Sequence, residues 1–212
     1  DADQDWDCEA RRYYFNIVGK FGMSVQTVLK KAAALDIRII CPLHGPILKE
    51  NLSHYLEKYN IWSSYEPETE GVFIAYASLH GNTAQAARKL ALILEEKGCP
   101  GVTVTDLARD DMSEALEDAF RYGKIVFAAS SYNGGVMPFM EDFLHHLKGK
   151  NFQKRTVAFI ENGSWAPSAK KTMTDILSQM NNITILDSSV TIRGAMKEDT
   201  IKELEALADS LL

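Results

Sequence analysis

Val72-Phe73-Ile74-Ala75-Tyr76, followed at once by Ser78-Leu79-His80-Gly81-Asn82-Thr83, decides the fold. The first five residues form a short β-rich apolar run with no helical stripe, the pattern of a strand buried on both faces. From Asn82 to Lys97 the apolar residues Ala86, Ala87, Leu90, Ala91 and Leu94 recur at helical spacing, and Gly98 supplies the stop. A strand, a polar glycine-containing turn and a helix in direct succession open a βαβ unit.

The same alternation continues. Strands are predicted over 102–107, 125–129, 156–160 and 183–192. Helices are predicted over 113–122, with Ser113 as N-cap, over 137–147 with Pro138 in the first turn, and over 168–180 and 197–212. Five strands alternating with five helices imply right-handed crossovers and an α/β fold: a doubly wound five-stranded parallel sheet of order 2-1-3-4-5. Ligands of such sheets sit beyond the carboxyl ends of the strands, where the strand order reverses.

Ahead of Gly71 the pattern is different. Helices are predicted over 10–18, 24–35 and 52–62 and a strand over 37–41, but one strand cannot build a sheet. Asp1 to Asp5 carry no fold signal. Ser63 to Glu70 is polar and acidic, contains Pro67 and precedes Gly71, as a linker does. The expected organisation is an incomplete domain at 1–62, a linker at 63–70 and a complete domain at 71–212. The first segment is expected to be the C-terminal end of a larger domain.

Composition narrows the function. The chain has 212 residues, 46% hydrophobic and 25% charged, which are ordinary globular values. Its net charge is −6; residues 1–70 hold 8 Lys/Arg against 11 Asp/Glu and the remainder 15 against 18, so neither part is a basic nucleic-acid module. Apolar runs such as 125–129 are far short of the roughly 18–20 residues of a membrane span. Three scattered cysteines form no Cys-x-x-Cys motif and suit a reducing, cytoplasmic compartment. The partners expected are small molecules or proteins.

Three loops carry the chemistry. Ser78, Leu79, His80, Gly81, Asn82 and Thr83 place hydroxyls, an amide and a glycine at a helix N-terminus, where backbone N–H groups and the helix dipole favour an anion. The absence of Lys and Arg points to a monophosphate rather than a nucleotide triphosphate. Alternatively Asn82 merely caps the helix. Ser130, Ser131, Tyr132, Asn133, Gly134 and Gly135 follow the third strand and suit hydrogen bonding to a flat heteroaromatic edge, although Asn-Gly-Gly is also an ordinary tight turn. Asn162, Gly163, Ser164 and Trp165 follow the fourth strand, and Trp165 is placed to stack on a planar ring or to anchor a core or an interface.

A phosphate cradle, an amide-rich edge and an aromatic lid on adjacent loops resemble flavodoxin over residues 71–212. That resemblance implies a flavin mononucleotide (FMN) site, with the Ser-x-x-Gly-Asn-Thr loop on the phosphate and the other two loops beside the isoalloxazine. Residues 11–18 and Cys41-Pro42-Leu43-His44-Gly45-Pro46 resemble the end of the metallo-β-lactamase-like domain of flavodiiron proteins. In that family His44 matches the last iron-binding histidine. The remaining ligands are absent here, so the resemblance implies a diiron centre only in a full-length protein. It further implies a homo-oligomer when full length, an electron donor such as rubredoxin or a flavin reductase, and reduction of dioxygen or nitric oxide.

Two other readings stay open: an NAD(P)H-dependent quinone or azo reductase on the same fold, and a non-enzymatic flavodoxin-like module. His145 and His146 near a helix C-terminus, His54 on a solvated helix face, and Asp106, Asp110 and Asp111 as surface and cap residues are expected to be structural.

Overall fold

The computed structural model describes residues 6–212; the opening acidic stretch lies outside the described residues. Eight α-helices and six strands follow in the order α1 (Asp7–Tyr13), α2 (Gly22–Ala32), α3 (Leu52–Ser63), β1 (Thr69–Ala77), α4 (Asn82–Glu96), β2 (Val102–Asp106), α5 (Met112–Arg121), β3 (Tyr122–Tyr132), β4 (Gly135–Val136), α6 (Pro138–Gly149), β5 (Arg155–Asn162), α7 (Ala169–Leu177), β6 (Ile183–Ile192) and α8 (Glu198–Leu211). The main sheet runs β2-β1-β3-β5-β6, all parallel, which is the doubly wound order expected. The two-residue β4 adds only an antiparallel hairpin to the end of β3.

Alternate residues of each strand feed opposite faces. Phe73, Ala75, Ile125, Phe127, Val157 and Phe159 join α5, α6 and α7 in one core. Val72, Ile74, Val126, Ala128, Ala158 and Ile160 join α4 and α8 in the other. Both faces are covered, which is why the strands read as continuous apolar runs. Among the described residues no helix is long and apolar enough to cross a membrane.

The N-terminal segment departs from expectation in three places. The predicted strand at 37–41 is a single antiparallel bridge between Ile40 and Leu48, because no described neighbour offers a ladder. The predicted helix at 10–18 is α1 followed by a π-helical turn at Tyr14–Val18 and a 3-10 turn at Gly19–Phe21. The wider turn accompanies the burial of two successive aromatics, Tyr14 and Phe15, at 0% and 1% exposure. The stretch expected to be a linker is packed. Tyr65 is buried, its hydroxyl donating to Gly19 O at 2.7 Å, and Glu68 N–H donates to Arg121 O at 2.9 Å before β1 begins at Thr69. Arg155 fastens it from beneath, its guanidinium donating to Tyr65 O at 2.6 Å and to Phe120 O. Burial lowers that guanidinium to about 10, the charge of Glu66 offsetting only part of the effect.

Two smaller expectations also change. Asp111 rather than Ser113 caps α5, accepting from the Ser113 N–H at 2.7 Å. His54 does not face solvent alone; its Nε2 lies 2.9 Å from both carboxylate oxygens of Asp7.

Candidate functional site

The carboxyl ends of β1, β3 and β5 lie side by side, since Ala77 is in register with Ala129 and Ser130 with Asn162. The three loops chosen from the sequence are therefore neighbours. At the end of β1, Ser78 is buried and its Oγ accepts from the Gly81 N–H at 3.1 Å. Gly81 takes φ +87°, and a Cβ there would meet nothing within 4 Å. Gly81, not Asn82, is the N-cap of α4, and no side chain caps the helix. The leading N–H groups of α4 thus have no side-chain acceptor, and the first turn holds no acidic residue. Thr83 is buried in that turn, while Leu79 and His80 are exposed.

After β3 the chain reverses at Asn133 (φ +47°) and Gly134 (φ +74°), two left-handed residues at the centre of a tight hairpin. Tyr132, Asn133 and Gly134 project into solvent. Ser131 Oγ accepts from the N–H groups of Ser168 (2.8 Å) and Ala169 (3.3 Å), so this side chain caps α7. Ser130 Oγ is buried with no protein partner. A buried hydroxyl left unpaired is costly.

After β5 the Asn162 amide makes both of its bonds to Gly194, accepting from the N–H at 3.0 Å and donating to the carbonyl at 2.9 Å. Gly163 lies so close to Ser131 that a Cβ would stand 2.9 Å from Oγ. Ser164 and Trp165 are exposed, the indole at 94%. Trp165 is therefore no core anchor.

The loops divide into bracing and facing groups. Ser131 and Asn162 spend their side chains holding the loops together. The α4 head, the Ser130 hydroxyl, Tyr132, the Asn133-Gly134 turn and Trp165 remain for a ligand. An uncapped helix start, open space over Gly81 and Gly134, an unpaired buried hydroxyl and an exposed indole fit a phosphate joined to a flat aromatic ring. Sequence reasoning missed Gly194, which latches Asn162; the Gly after β6 was its one visible signal.

His44 stands apart from this site, exposed and with its ring centroid 5.3 Å from that of Tyr13. It borders a cavity of about 210 Å³ shared with Leu48, Tyr55 and Tyr59. Among the described residues no group of three or more His, Cys, Asp or Glu is placed to hold a metal ion.

Residues 73–203 match the family described as the flavodoxin domain. The chain belongs to that family. Within it the likeness is to flavodiiron proteins. The rubredoxin:oxygen oxidoreductase of Desulfovibrio gigas superposes over 97% of this chain and 51% of its own, with a TM-score of 0.87 and 21% identity. A flavo di-iron protein variant of Thermotoga maritima does so over 97% and 52%, with a TM-score of 0.82 and 26% identity. The anaerobic nitric oxide reductase flavorubredoxin of Aeromonas hydrophila is 28% identical over 76% of this chain and 33% of its own length. The chain thus carries a flavodoxin domain similar to that of flavodiiron proteins, and it spans about half the length of the first curated relatives it matches.

Proposed function

We propose that this chain holds FMN across the β1, β3 and β5 loops and relays electrons, within a longer protein, to a diiron centre that reduces dioxygen or nitric oxide. The single observation that carries the flavin site is the convergence of the uncapped α4 head with the Ser130 hydroxyl and the exposed Trp165 indole on three adjacent strand ends.

In this reading the α4 N–H groups, with Thr83 and a Ser78-shaped loop, bind the phosphate. Gly81 lets the backbone approach it. Ser130 and the Asn133-Gly134 turn bond the ring edge, and Trp165 and Tyr132 cover its faces and exclude water. The bound flavin would supply one- and two-electron redox chemistry; the protein supplies anchoring, orientation and electrostatics.

The segment before residue 63 belongs, in this reading, to a metallo-β-lactamase-like domain, with His44 as one iron ligand among several supplied by the rest of that domain. Its surface supports this assignment. Nine of the sixteen large hydrophobic side chains exposed among the described residues fall between Tyr13 and Ile47, including Met23 at 85% and Leu43 at 97%. Rubredoxin or a flavin reductase is the proposed donor. Three free cysteines suit a cytoplasmic setting.

The test is titration of the flavin-free chain with FMN and with riboflavin. Stoichiometric binding with a clear preference for FMN supports the reading. No binding, or equal binding of both, refutes the phosphate assignment.

A further inference from the structure

Three buried charges meet just ahead of β1, at the opposite end of that strand from the Ser78 loop. Arg11 on α1, Glu68 just ahead of β1 and Glu117 on α5 have side chains only 5%, 5% and 3% exposed. The Arg11 guanidinium grips Glu68 as a fork, Nε to Oε2 at 2.6 Å and Nη2 to Oε1 at 2.9 Å, while its Nη1 donates to Glu117. Glu68 also accepts from Lys58 Nζ and Trp62 Nε1 on α3, each at 2.7 Å. One carboxylate therefore receives four donors from two helices of the N-terminal segment, and one arginine reaches across to the flavodoxin-like unit.

The apolar contacts alongside are the stack of Phe15 on Phe120, with centroids 4.1 Å apart, and the burial of Tyr14. Apolar surfaces tolerate sliding. A buried fork does not, because any shift of α1 leaves charges uncompensated in a low-dielectric interior. Such a network adds little net stability compared with a well-packed apolar replacement, but it penalises every alternative arrangement.

We propose that Arg11 is a positioning residue: its clasp on Glu68 and Glu117 holds the His44-bearing segment in one orientation on the flavin-binding unit. The electron-delivery purpose of that orientation rests on the function proposed above; the fixed orientation itself does not.

Hydrogen exchange of the 212-residue chain is the test. Arg11→Met should speed exchange over residues 7–18 by about 100-fold or more, while β1, β3 and β5 change by less than about threefold and FMN affinity by less than about twofold. Arg11→Lys, which keeps the charge but not the fork, should fall between. A triple variant, Arg11→Met with Glu68→Met and Glu117→Leu, guards against simple unfolding. It should regain the parent's urea midpoint yet broaden the distance distribution between spin labels at Lys30→Cys and Glu205→Cys, the native cysteines being replaced by alanine. Unchanged exchange over 7–18 in Arg11→Met, uniform loss of protection throughout the chain, or a narrow parental distribution in the stable triple variant would each overturn the proposal. Failure of parent and variants alike to bind FMN, with exchange as expected, would sink the flavin reading and leave the clasp standing.

Discussion

Trp165→Ala separates stability from binding more cleanly than any other substitution at the site. The indole is 94% exposed, so nothing in the fold depends on it, and the flavin-free variant should match its parent within about 0.5 kcal/mol. Stacking on a ring would cover one face, roughly 100 Å² of the 150–250 Å² a tryptophan can bury, or about 2.5 kcal/mol at about 25 cal/mol/Å². Aromatic geometry adds about 0.5–1.5 kcal/mol, and immobilising the side chain removes a similar amount. The net is about 2–3 kcal/mol, a rise of roughly 30- to 150-fold in Kd. Flavin fluorescence titration of both proteins, with urea unfolding of the flavin-free forms, measures the two quantities. The variant should also lose the quenching that the indole imposes. An unchanged Kd, or a loss of affinity matched by a loss of stability, would refute the reasoning.

Ser78→Ala and Thr83→Ala should each weaken FMN by about 1–2 kcal/mol but leave riboflavin within about twofold, since only FMN brings a phosphate to α4; parallel losses would place the phosphate elsewhere. For acid stability, burial alone would raise the Glu68 carboxyl, but its bonds from Arg11, Lys58 and Trp62 outweigh this and hold it at about 2. A lowered carboxylate stabilises the fold above its unfolded value near 4.5 and loses that contribution as pH falls toward 2, here roughly 3 kcal/mol. Glu117, raised by burial, acts oppositely and gives up stability as pH rises. Glu68→Gln should therefore flatten the fall of the urea midpoint between pH 5 and about 2.5; parallel curves for parent and variant would argue against the assignment. Finally, the purified chain should contain no stoichiometric iron, because among the described residues no set of ligands is placed around His44; metal analysis finding about two irons per chain that survive chelation would overturn this.

The sheet was legible because each strand is covered on both faces, so Val72 to Tyr76 and Ile125 to Ala129 announce themselves without alternation. The site loops followed from strand order alone. Which side chains brace and which face a ligand was not legible, since that depends on cross-loop bonds such as Ser131 to the start of α7 and Asn162 to Gly194. The acidic stretch before Gly71 read as a linker because its partners, Arg11 and Arg155, lie 57 and about 90 residues away in the chain. Local composition cannot distinguish a carboxylate facing water from one facing a buried arginine. The bridge at Ile40 was overread for a related reason: a β-rich pentapeptide becomes a strand only when a neighbour supplies the ladder.

Phe15 stacks on Phe120, and the two are 105 residues apart in the sequence. On a ribosome adding about 5–20 residues per second, Phe15 emerges roughly 5–20 s before the helix that carries Phe120, whereas Tyr14 meets Tyr59 and Trp62 of α3 sooner. The flavodoxin-like sheet cannot shelter Phe15 sooner, since β3 and β5 are later still in the chain. During synthesis the Phe15 ring is therefore without its stacking partner until α5 has been made, so this part of the N-terminal segment completes its packing only after the first half of the flavodoxin-like unit exists.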